Sequence, residues 1–299
     1  MSDKIIEFIK RNNSNLIVQG AITLLFPEYF LRKYFQGNAG RNNNWRGKKA
    51  GLTISFDCDY PKDVTAMPEL IAMLNKYPFK TSFACVGHWI EKYPDEHRAI
   101  VDSGHEIVNH TYSHPDNELL NPGRKFKTIS RGEKKEEIEK CHEICLRVLG
   151  YEPKGCRIPH FKNLFTDQIY GILKELGYAY SSSTHLMNTD TRGMPFRASE
   201  GIIEFPLSTC PRHPFTVFDT WHSFNSPRLA YRMVHRTEEE YIGLFKWLID
   251  TAVETNSYIN IYIDPADIHK MKRMKEILDY IRAQDIWVAT YEEMLGGIK

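Results

Sequence analysis

The sequence predicts an α/β fold in which parallel strands form a sheet that is either open or closed. From residue 50 onward, short β-rich segments alternate with segments of helical pattern. Helices of this length between strands are typical of βαβ units around a parallel sheet. With 299 residues, 42% of them hydrophobic, the chain can form one large α/β barrel or two smaller domains, and its core needs no disulfide or structural metal.

Eight segments are predicted as strands because they are short and rich in β-branched, aromatic and other apolar residues. They are Leu52–Phe56, Thr81–Val86, Glu106–Asn109, Gly155–Ile158, Tyr178–Ser182, Ile202–Pro206, Tyr258–Ile263 and Ile286–Ala289. The third strand follows a turn at Ser103-Gly104. No fixed-period repeat or low-complexity tract interrupts the series.

Helices are predicted between these strands. They cover Met67–Lys76, further stretches up to Asp102, Glu133–Leu149, Thr166–Leu176, Thr237–Thr255 and Met271–Arg282. In Glu133–Leu149 the apolar residues recur at helical spacing, and Gly150 follows as a C-terminal stop signal. Gly177 ends the segment Thr166–Leu176 in the same way.

Residues 1–49 differ from the rest and are predicted to form a helical arm and a basic linker, followed by a catalytic domain over residues 50–299. The segment 16–26 is largely apolar, but it is too short and too polar to span a bilayer. The segment 29–35 mixes aromatic residues with two cations, as membrane-interfacial segments do. We expect the arm to pack on the main domain in preference to contacting a membrane surface through residues 16–35.

The composition argues against several functions and locations. Lys plus Arg number 39 and Asp plus Glu number 38, without a long basic block, so we expect no nucleic-acid partner. The six cysteines fit buried thiols, and no CxxC pair indicates a zinc site. Residues 1–4 lack the order of a secretory signal. We therefore predict a cytoplasmic protein, which is peripheral at the inner membrane face if the arm contacts lipid.

The residues most indicative of chemistry are His110 and His114, together with Asp57 and Asp59. Two imidazoles and a carboxylate form a three-ligand metal site with an open position, and a second carboxylate beside it can act as a base. The two acids end the first predicted strand, and the two histidines follow the third. In such folds ligands gather at the C-terminal ends of the strands, so we expect one shared site.

Each of these features also has an ordinary structural explanation when it is taken alone. The two acids are common at helix N-termini and in solvated loops, and the two histidines could be a surface pair. The segment His105–His110 is similar to the HExxH zinc-protease motif only superficially, because it is one residue too long and has a strand pattern. We therefore reject a zinc-protease function.

Two later segments carry weaker signals. Arg157-Ile158-Pro159-His160 places a guanidinium at a strand end, where it can pair bidentately with a carboxylate. Asp219-Thr220-Trp221 places an acid beside a flat ring that could wall a sugar-sized groove. A buried tryptophan with a satisfied indole is the commoner explanation of the latter.

Read in order, these segments resemble the motifs of the polysaccharide deacetylase family, the metal-dependent de-N-acetylases with a NodB homology domain that are also grouped as carbohydrate esterase family 4. Residues 55–59 resemble the first motif, in the D-x-D form of one branch, and residues 110–114 the second. Residues 157–160 resemble the third, which usually ends in Tyr, and residues 219–221 the fourth. The likeness covers roughly residues 50–295. It implies an irregular (β/α)7-type barrel, a distorted TIM barrel, with the arm as an N-terminal helical extension.

The resemblance also implies a metal centre and a base. Asp59, His110 and His114 would hold a divalent ion, which we expect to be zinc, with cobalt or another divalent ion as alternatives. Asp57 would be the general base, and Arg157 would keep it ionised.

Four further residues receive roles on the substrate side from the same resemblance. The backbone N–H of His160 would help to stabilise the oxyanion, and Trp221 would line the groove. Asp219 would tune the general acid, and Ile261 would form a pocket for the acetyl methyl group.

The fifth motif departs from the family pattern, because Asp264 stands where a histidine usually acts as general acid. In the first account Asp264 is the acid, and a nearby Asp219 raises its pKa. In the second, a histidine takes over the role, the candidates being His160, His222 and His269. In the third, the chain binds its ligand without turnover. We expect the first account.

Together these features predict a metal-dependent hydrolase of a non-peptide carbon–nitrogen bond, and we expect de-N-acetylation of an amino sugar. The expected partner is an N-acetylated sugar or glycan intermediate, which is soluble or linked to a lipid or a nucleotide. The alternatives are a hydrolase of a small cyclic ureide or imide and a non-catalytic sugar-binding protein. The segment Thr184–Phe218 holds Arg192, Arg197 and Arg212, and is either a specificity loop for an anionic group or a solvated loop.

Overall fold

A computed structural model describes residues 1–40, 44–160, 169–225 and 237–298, without the side chains of residues 268–270. The strands are β1 Ala50–Cys58, β2 Ser82–Cys85, β3 Glu106–Asn109, β4 Gly155–Cys156, β5 Tyr180–Ser181, β6 Phe196–Arg197, β7 Ile203–Glu204, β8 Tyr258–Ile263 and β9 Ile286–Val288. The helices are α1 Asp3–Arg11, α2 Leu16–Leu25, α3 Pro27–Gln36, α4 Pro61–Leu74, α5 Gly87–Lys92, α6 Pro94–Asp102, α7 Arg131–Ile144, α8 Ile169–Glu175, α9 Glu238–Thr255, α10 Met274–Arg282 and α11 Tyr291–Leu295.

The strands form one curled sheet in the order β6-β7-β5-β4-β3-β2-β1-β8. All neighbouring pairs are parallel except β6 with β7. Strand β9 pairs with Ala50–Leu52 at the start of β1, whereas β2 pairs with Ser55–Cys58 near its end. The predicted parallel α/β sheet is therefore confirmed, and its curled form agrees with a distorted (β/α) barrel.

Most predicted elements are present with shifted bounds, and the largest shift is in α4, which begins at Pro61, six residues before the predicted start at Met67. Strands β3 and β8 have the predicted bounds. The predicted helix Glu133–Leu149 is present and begins two residues earlier, at Arg131; its last five residues, Cys145–Leu149, continue α7 as a π-helix that ends at Gly150. Strand β6 and helix α11 were not predicted, since two and five residues carry too little periodicity to indicate them. Residues 166–168 of the predicted helix Thr166–Leu176 lie outside the described part of the chain.

The strands separate an apolar layer from a polar one. Alternate residues of β1, among them Ile54 and Phe56, pack in the hydrophobic core with the surrounding helices. Ser55, on the other face of β1, is buried and lies within hydrogen-bond distance of Tyr291. Because side chains alternate along a strand, the same division holds in β8, where Asn260 hydrogen-bonds to Tyr291. The inner face of the sheet therefore carries polar side chains beside a second apolar cluster that includes Ala84 and Val108, and functional side chains can collect at its end.

The first three helices pack on this body. Helix α3 buries Phe30, Leu31, Tyr34 and Phe35 in the main core. Arg192 Nη1 donates a hydrogen bond to the Tyr34 carbonyl oxygen at 3.1 Å. The division of the chain at residue 49 stays a prediction.

A second arginine of the segment Thr184–Phe218 also holds the arm, since Arg212 Nε lies 3.1 Å from the Glu28 carboxylate. Arg192 and Arg212 therefore contact the arm, in addition to any role toward a ligand. None of the described helices is long and apolar enough to cross a membrane.

Candidate active site

The candidate metal ligands lie where β1 and β3 end. Asp57 belongs to the end of β1 and Asp59 follows it, while His110 directly follows β3. His110 to His114 form a compact loop instead of a helical turn, and Thr111 and His114 have φ angles of 64° and 51°. The left-handed conformation is costly for a β-branched residue. Side-chain bonds hold the loop, because Asn109 Oδ1 accepts from the Thr111 N–H at 2.9 Å and Thr111 Oγ1 accepts from the His114 N–H at 3.1 Å.

Asp59, His110 and His114 converge on one point. Asp59 Oδ1 lies 3.1 Å from His110 Nε2 and 3.5 Å from His114 Nε2. One ligand atom from each residue lies within 4.8 Å of the others. The Asp59 Oδ1 atom is buried and accepts no well-formed hydrogen bond within the described residues. The expected three-residue group is therefore present as a geometric unit.

The tautomer of His110 favours a cation in this group. Its Nδ1 lies 2.5 Å from the Arg157 carbonyl oxygen. A carbonyl oxygen only accepts, so Nδ1 carries the hydrogen, and in the neutral ring the lone pair is on Nε2, which faces the Asp59 carboxylate. A lone pair and a carboxylate at this distance repel each other unless a proton or a metal ion lies between them. For His114, Nδ1 has no hydrogen-bond partner in the described ranges, so no such contact fixes its tautomer.

The protonation of the three side chains is consistent with metal binding. Burial raises the pKa of Asp59, but His114 and His110 outweigh burial and hold it well below its usual range. Burial lowers the pKa of His114 to about 4, so its imidazole is neutral at pH 7 and can donate a lone pair. Burial also lowers the pKa of His110, but the Asp59 carboxylate outweighs burial and raises it. A divalent ion would take the place of the proton that Asp59 favours on His110, and two neutral imidazoles and a carboxylate would then bind it.

Arg157 is fully buried and holds Asp57 through a salt bridge from Nη1 to Oδ1. Its other donors are also used, since Nε donates to the Ser182 carbonyl at 3.0 Å and Nη2 to Ser55 Oγ at 2.9 Å and Tyr291 Oη at 2.5 Å. Burial raises the pKa of Asp57, while Arg157 opposes the rise. The structure thus brings the expected base and its arginine together beside the metal ligands.

A second polar group surrounds Asp219, which is fully buried. Its Oδ1 accepts from the His222 backbone N–H at 2.6 Å, and its Oδ2 contacts His222 Nδ1 and accepts from Tyr262 Oη at 3.0 Å. Thr220 Oγ1 accepts from the Asp264 N–H at 2.9 Å, so this turn is tied to the end of β8. Sequence reasoning missed Tyr262, although the alternation of residues 260 and 262 in β8 indicates that both face inward.

Asp264 lies among other carboxylates. Its pKa is raised well above the usual range by burial and then by Asp63, Asp219 and Asp59. Asp63 was also missed, and burial and Asp59 raise its pKa to about 7. It accepts hydrogen bonds from two backbone N–H groups, at 2.9 and 3.2 Å. The first account of the general acid needs Asp219 to lie near Asp264, and the structure places it there.

The remaining expected residues differ in their placement. His160 is exposed, has a φ of 54°, and its ring lies 6.3 Å from that of His114. Trp221 is 42% exposed, and its ring packs 4.9 Å from that of His222.

Two further candidates are not brought to this group. Ile261 is fully buried in the apolar core, because strand alternation turns its neighbour Tyr262 toward the polar interior and Ile261 away from it. Its expected place in a methyl pocket stays a prediction. The side chain of His269 lies outside the described part of the chain.

Comparison with known proteins agrees with the resemblance seen in the motifs. Residues 45–181 match the family model described as polysaccharide deacetylase. Over these residues the chain is similar to the polysaccharide deacetylase family. The chain is 32% identical over 134 residues to the peptidoglycan-N-acetylglucosamine deacetylase of Bacillus cereus, over 45% of this chain and 43% of the relative. It therefore spans less than half of that relative's length.

Solved structures agree on the deacetylase-family fold. A structure assigned as a polysaccharide deacetylase from Mycobacterium smegmatis has a TM-score of 0.68 at 17% identity, over 84% of this chain and 90% of the other. The PuuE allantoinase has a TM-score of 0.64 at 11% identity, over 88% of this chain and 95% of the other. At these identities the likeness concerns the fold alone, and it supports the distorted barrel. The family match ends at residue 181, before Asp219 and Asp264.

Proposed function

We propose that this protein hydrolyses the amide bond of an N-acetylated amino sugar and releases acetate. The observation that carries the proposal is the convergence of Asp59, His110 and His114 beside an Asp57 held by a buried arginine. A carboxylate base next to a three-ligand metal group is the arrangement that metal-assisted amide hydrolysis needs. The name of the Bacillus cereus relative supports an N-acetylglucosamine-type sugar as the substrate class.

Each residue then has a defined part in the reaction. A divalent ion bound by Asp59, His110 and His114, which we propose to be zinc, with cobalt as the alternative, supplies Lewis-acid polarisation and lowers the pKa of water. Asp57 accepts a proton from the attacking water, and Arg157 fixes the orientation of its carboxylate.

Two residues face the substrate in this proposal. The backbone N–H of His160 donates to the developing oxyanion. The exposed ring of Trp221 provides an apolar surface on which a sugar ring packs.

The proton for the leaving amine has two candidate donors. Asp264 is the first, because burial and the neighbouring carboxylates raise its pKa, so that it keeps a proton at neutral pH. His222 is the second, because Asp219 contacts its Nδ1 and orients its ring. A carboxylate that holds one nitrogen of an imidazole leaves the other nitrogen oriented to donate a proton.

The decisive experiment measures acetate release by the purified protein loaded with zinc or cobalt. N-acetylated sugars are supplied free, nucleotide-linked and lipid-linked, and cyclic ureides and imides are tested in parallel. Acetate release that disappears in Asp57→Asn supports the proposal. Hydrolysis of a ureide or imide alone would assign the alternative substrate class, and metal binding without any turnover would indicate a sugar-binding protein.

We also propose a cytoplasmic location, at the inner face of the membrane. All six cysteines are buried thiols, as is usual in a reducing compartment. A lipid-linked or nucleotide-linked biosynthetic intermediate is the substrate that such a location favours. Recovery of the protein outside the cytoplasmic and membrane-peripheral fractions of cells would contradict this part of the proposal.

A further inference from the structure

Exposed large hydrophobic side chains are concentrated on the first helices of the chain. Of eleven such side chains in the described ranges, seven belong to residues 5–29. They are Ile5, Phe8, Leu16, Ile17, Leu24, Leu25 and Tyr29. A contiguous segment with this exposure indicates an interaction surface, whereas scattered apolar residues do not.

Helix α2 is the centre of this surface. It contains no charged residue, and only Ile22 is buried. Ile17, Ala21 and Leu24 follow at i, i+4 and i+7, so they lie on one face, and Ile17 and Leu24 are 82% and 73% exposed. A ten-residue helix is marginal in water unless its apolar stripe is buried. The exposed face of α2 therefore fits an apolar environment outside this chain.

The positive charge of residues 1–49 indicates that this apolar environment is an anionic one. Residues 1–49 contain nine Lys and Arg against three Asp and Glu, although the whole chain has 39 against 38. The remainder is therefore net acidic. In the described ranges, Lys4, Arg11 and Lys33 form no salt bridge with a carboxylate, and Lys33 Nζ lies 5.7 Å from the centre of the Tyr29 ring. Unpaired cations beside aromatic and aliphatic side chains are typical of segments that lie in the headgroup region of an anionic bilayer.

We propose that α1, α2 and α3 form a docking face for an anionic membrane surface, with α2 lying in the plane of the lipid headgroups. Packing and membrane contact are divided between two helices, since α3 joins the core of the barrel and α2 turns its apolar face outward. The barrel is thereby attached to the bilayer through a helix that lies along the bilayer surface. This inference does not depend on the proposed catalytic activity, because binding to lipid needs neither metal nor substrate.

The test is co-sedimentation of the full chain with vesicles. Binding to mixed phosphatidylcholine and phosphatidylglycerol vesicles is expected, with weaker binding to phosphatidylcholine alone and at high salt. The double variant Ile17→Glu, Leu24→Glu is expected to lower the vesicle-bound fraction at least about tenfold. Leu146→Glu, which replaces an exposed leucine far along the chain, is the matched control and keeps wild-type binding.

A second variant tests the charge independently of the apolar face. The triple substitution Lys4→Gln, Arg11→Gln, Lys33→Gln is expected to reduce binding to the anionic vesicles and to weaken its salt dependence. The proposal is overturned if the wild type does not sediment with these vesicles, or if the glutamate variant with wild-type circular dichroism still does. It is also overturned if light scattering finds a dimer that the glutamate variant disperses, because a second copy then covers the face.

Discussion

The Nδ1 atom of His110 donates a hydrogen bond to the backbone carbonyl oxygen of Arg157, at a distance of 2.5 Å. The side chain of the same arginine holds Asp57. One residue thus serves the metal group through its main chain and the proposed base through its guanidinium. Because these contacts use different parts of Arg157, a side-chain substitution can separate them.

We predict that Arg157→Lys lowers kcat/KM by about a hundredfold or more and leaves metal binding intact. Lysine keeps the positive charge, but its three donors lie on one nitrogen and cannot serve all the acceptors that surround the guanidinium, which belong to Asp57, Ser55, Ser182 and Tyr291. The His110 contact is unaffected, because the carbonyl oxygen remains. Metal content measured by elemental analysis beside kcat/KM checks the prediction. A variant that loses its metal in proportion to its activity would contradict the division of roles.

Removing a metal ligand is expected to lower metal binding and activity together, whereas Arg157→Lys lowers activity alone. Asp59→Asn and His114→Ala should each reduce the bound metal and lower turnover by about a thousandfold or more, since the ion supplies several kcal/mol of transition-state stabilisation. Zinc should raise the Tm of the wild type, because a ligand that binds only the folded state stabilises it. The same addition should not raise the Tm of Asp59→Asn. Asp95→Asn, at an exposed acid of α6, is the matched control and should respond like the wild type.

The identity of the general acid follows from comparing two substitutions. We predict that Asp264→Asn lowers kcat by more than about a hundredfold, the usual scale of lost acid–base assistance. His222→Gln should cost less, since in this account His222 only supports the turn around Asp219. The alkaline limb of the rate–pH profile should be lost in Asp264→Asn. Near-wild-type activity of this variant, together with inactivity of His222→Gln, would assign the role to His222.

Residues in contiguous motifs could be predicted from the sequence because strand ends converge. Asp57, Asp59, His110 and His114 end or follow β1 and β3, and parallel strands present these ends at one edge. The strand pattern that led us to reject a zinc-protease motif at residues 105–110 is present in the structure as β3. Glu106 lies within β3, and its carboxylate accepts from the first N–H groups of α11.

The residues that escaped prediction depend on side-chain direction and tertiary contact. Ile261 and Tyr262 are neighbours in β8, and only the side to which the strand turns decides that Tyr262 reaches Asp219. Asp63 lies in the first turn of α4, where an acid is ordinary, and only folding places it near Asp264. No spacing in the chain encodes such contacts between distant segments.

The stability of the fold should depend on pH through His105, which lies away from the metal group at the start of β3. Its ring is buried, and Nδ1 accepts a hydrogen bond from the Thr81 N–H at 3.1 Å, so this nitrogen cannot carry a proton. Burial, with a contribution from Lys80, lowers its pKa from 6.5 to about 4. Above pH 6.5 the ring is neutral in both the folded and the unfolded state, and its contribution to stability is complete.

Between pH 6.5 and 4 the unfolded chain binds a proton at His105 that the folded chain does not. The free energy of unfolding should therefore fall as the pH decreases, by up to about 3 kcal/mol at about 1.4 kcal/mol per pKa unit. In His105→Asn, Oδ1 can accept from Thr81 without titrating, so urea denaturation in the presence of a chelator should show a shallower loss of stability. The half-buried His142, replaced by Asn, is the control and should keep the wild-type slope. Equal slopes in wild type and His105→Asn would mean that the ring takes up its proton in the folded state, against the hydrogen bond from Thr81.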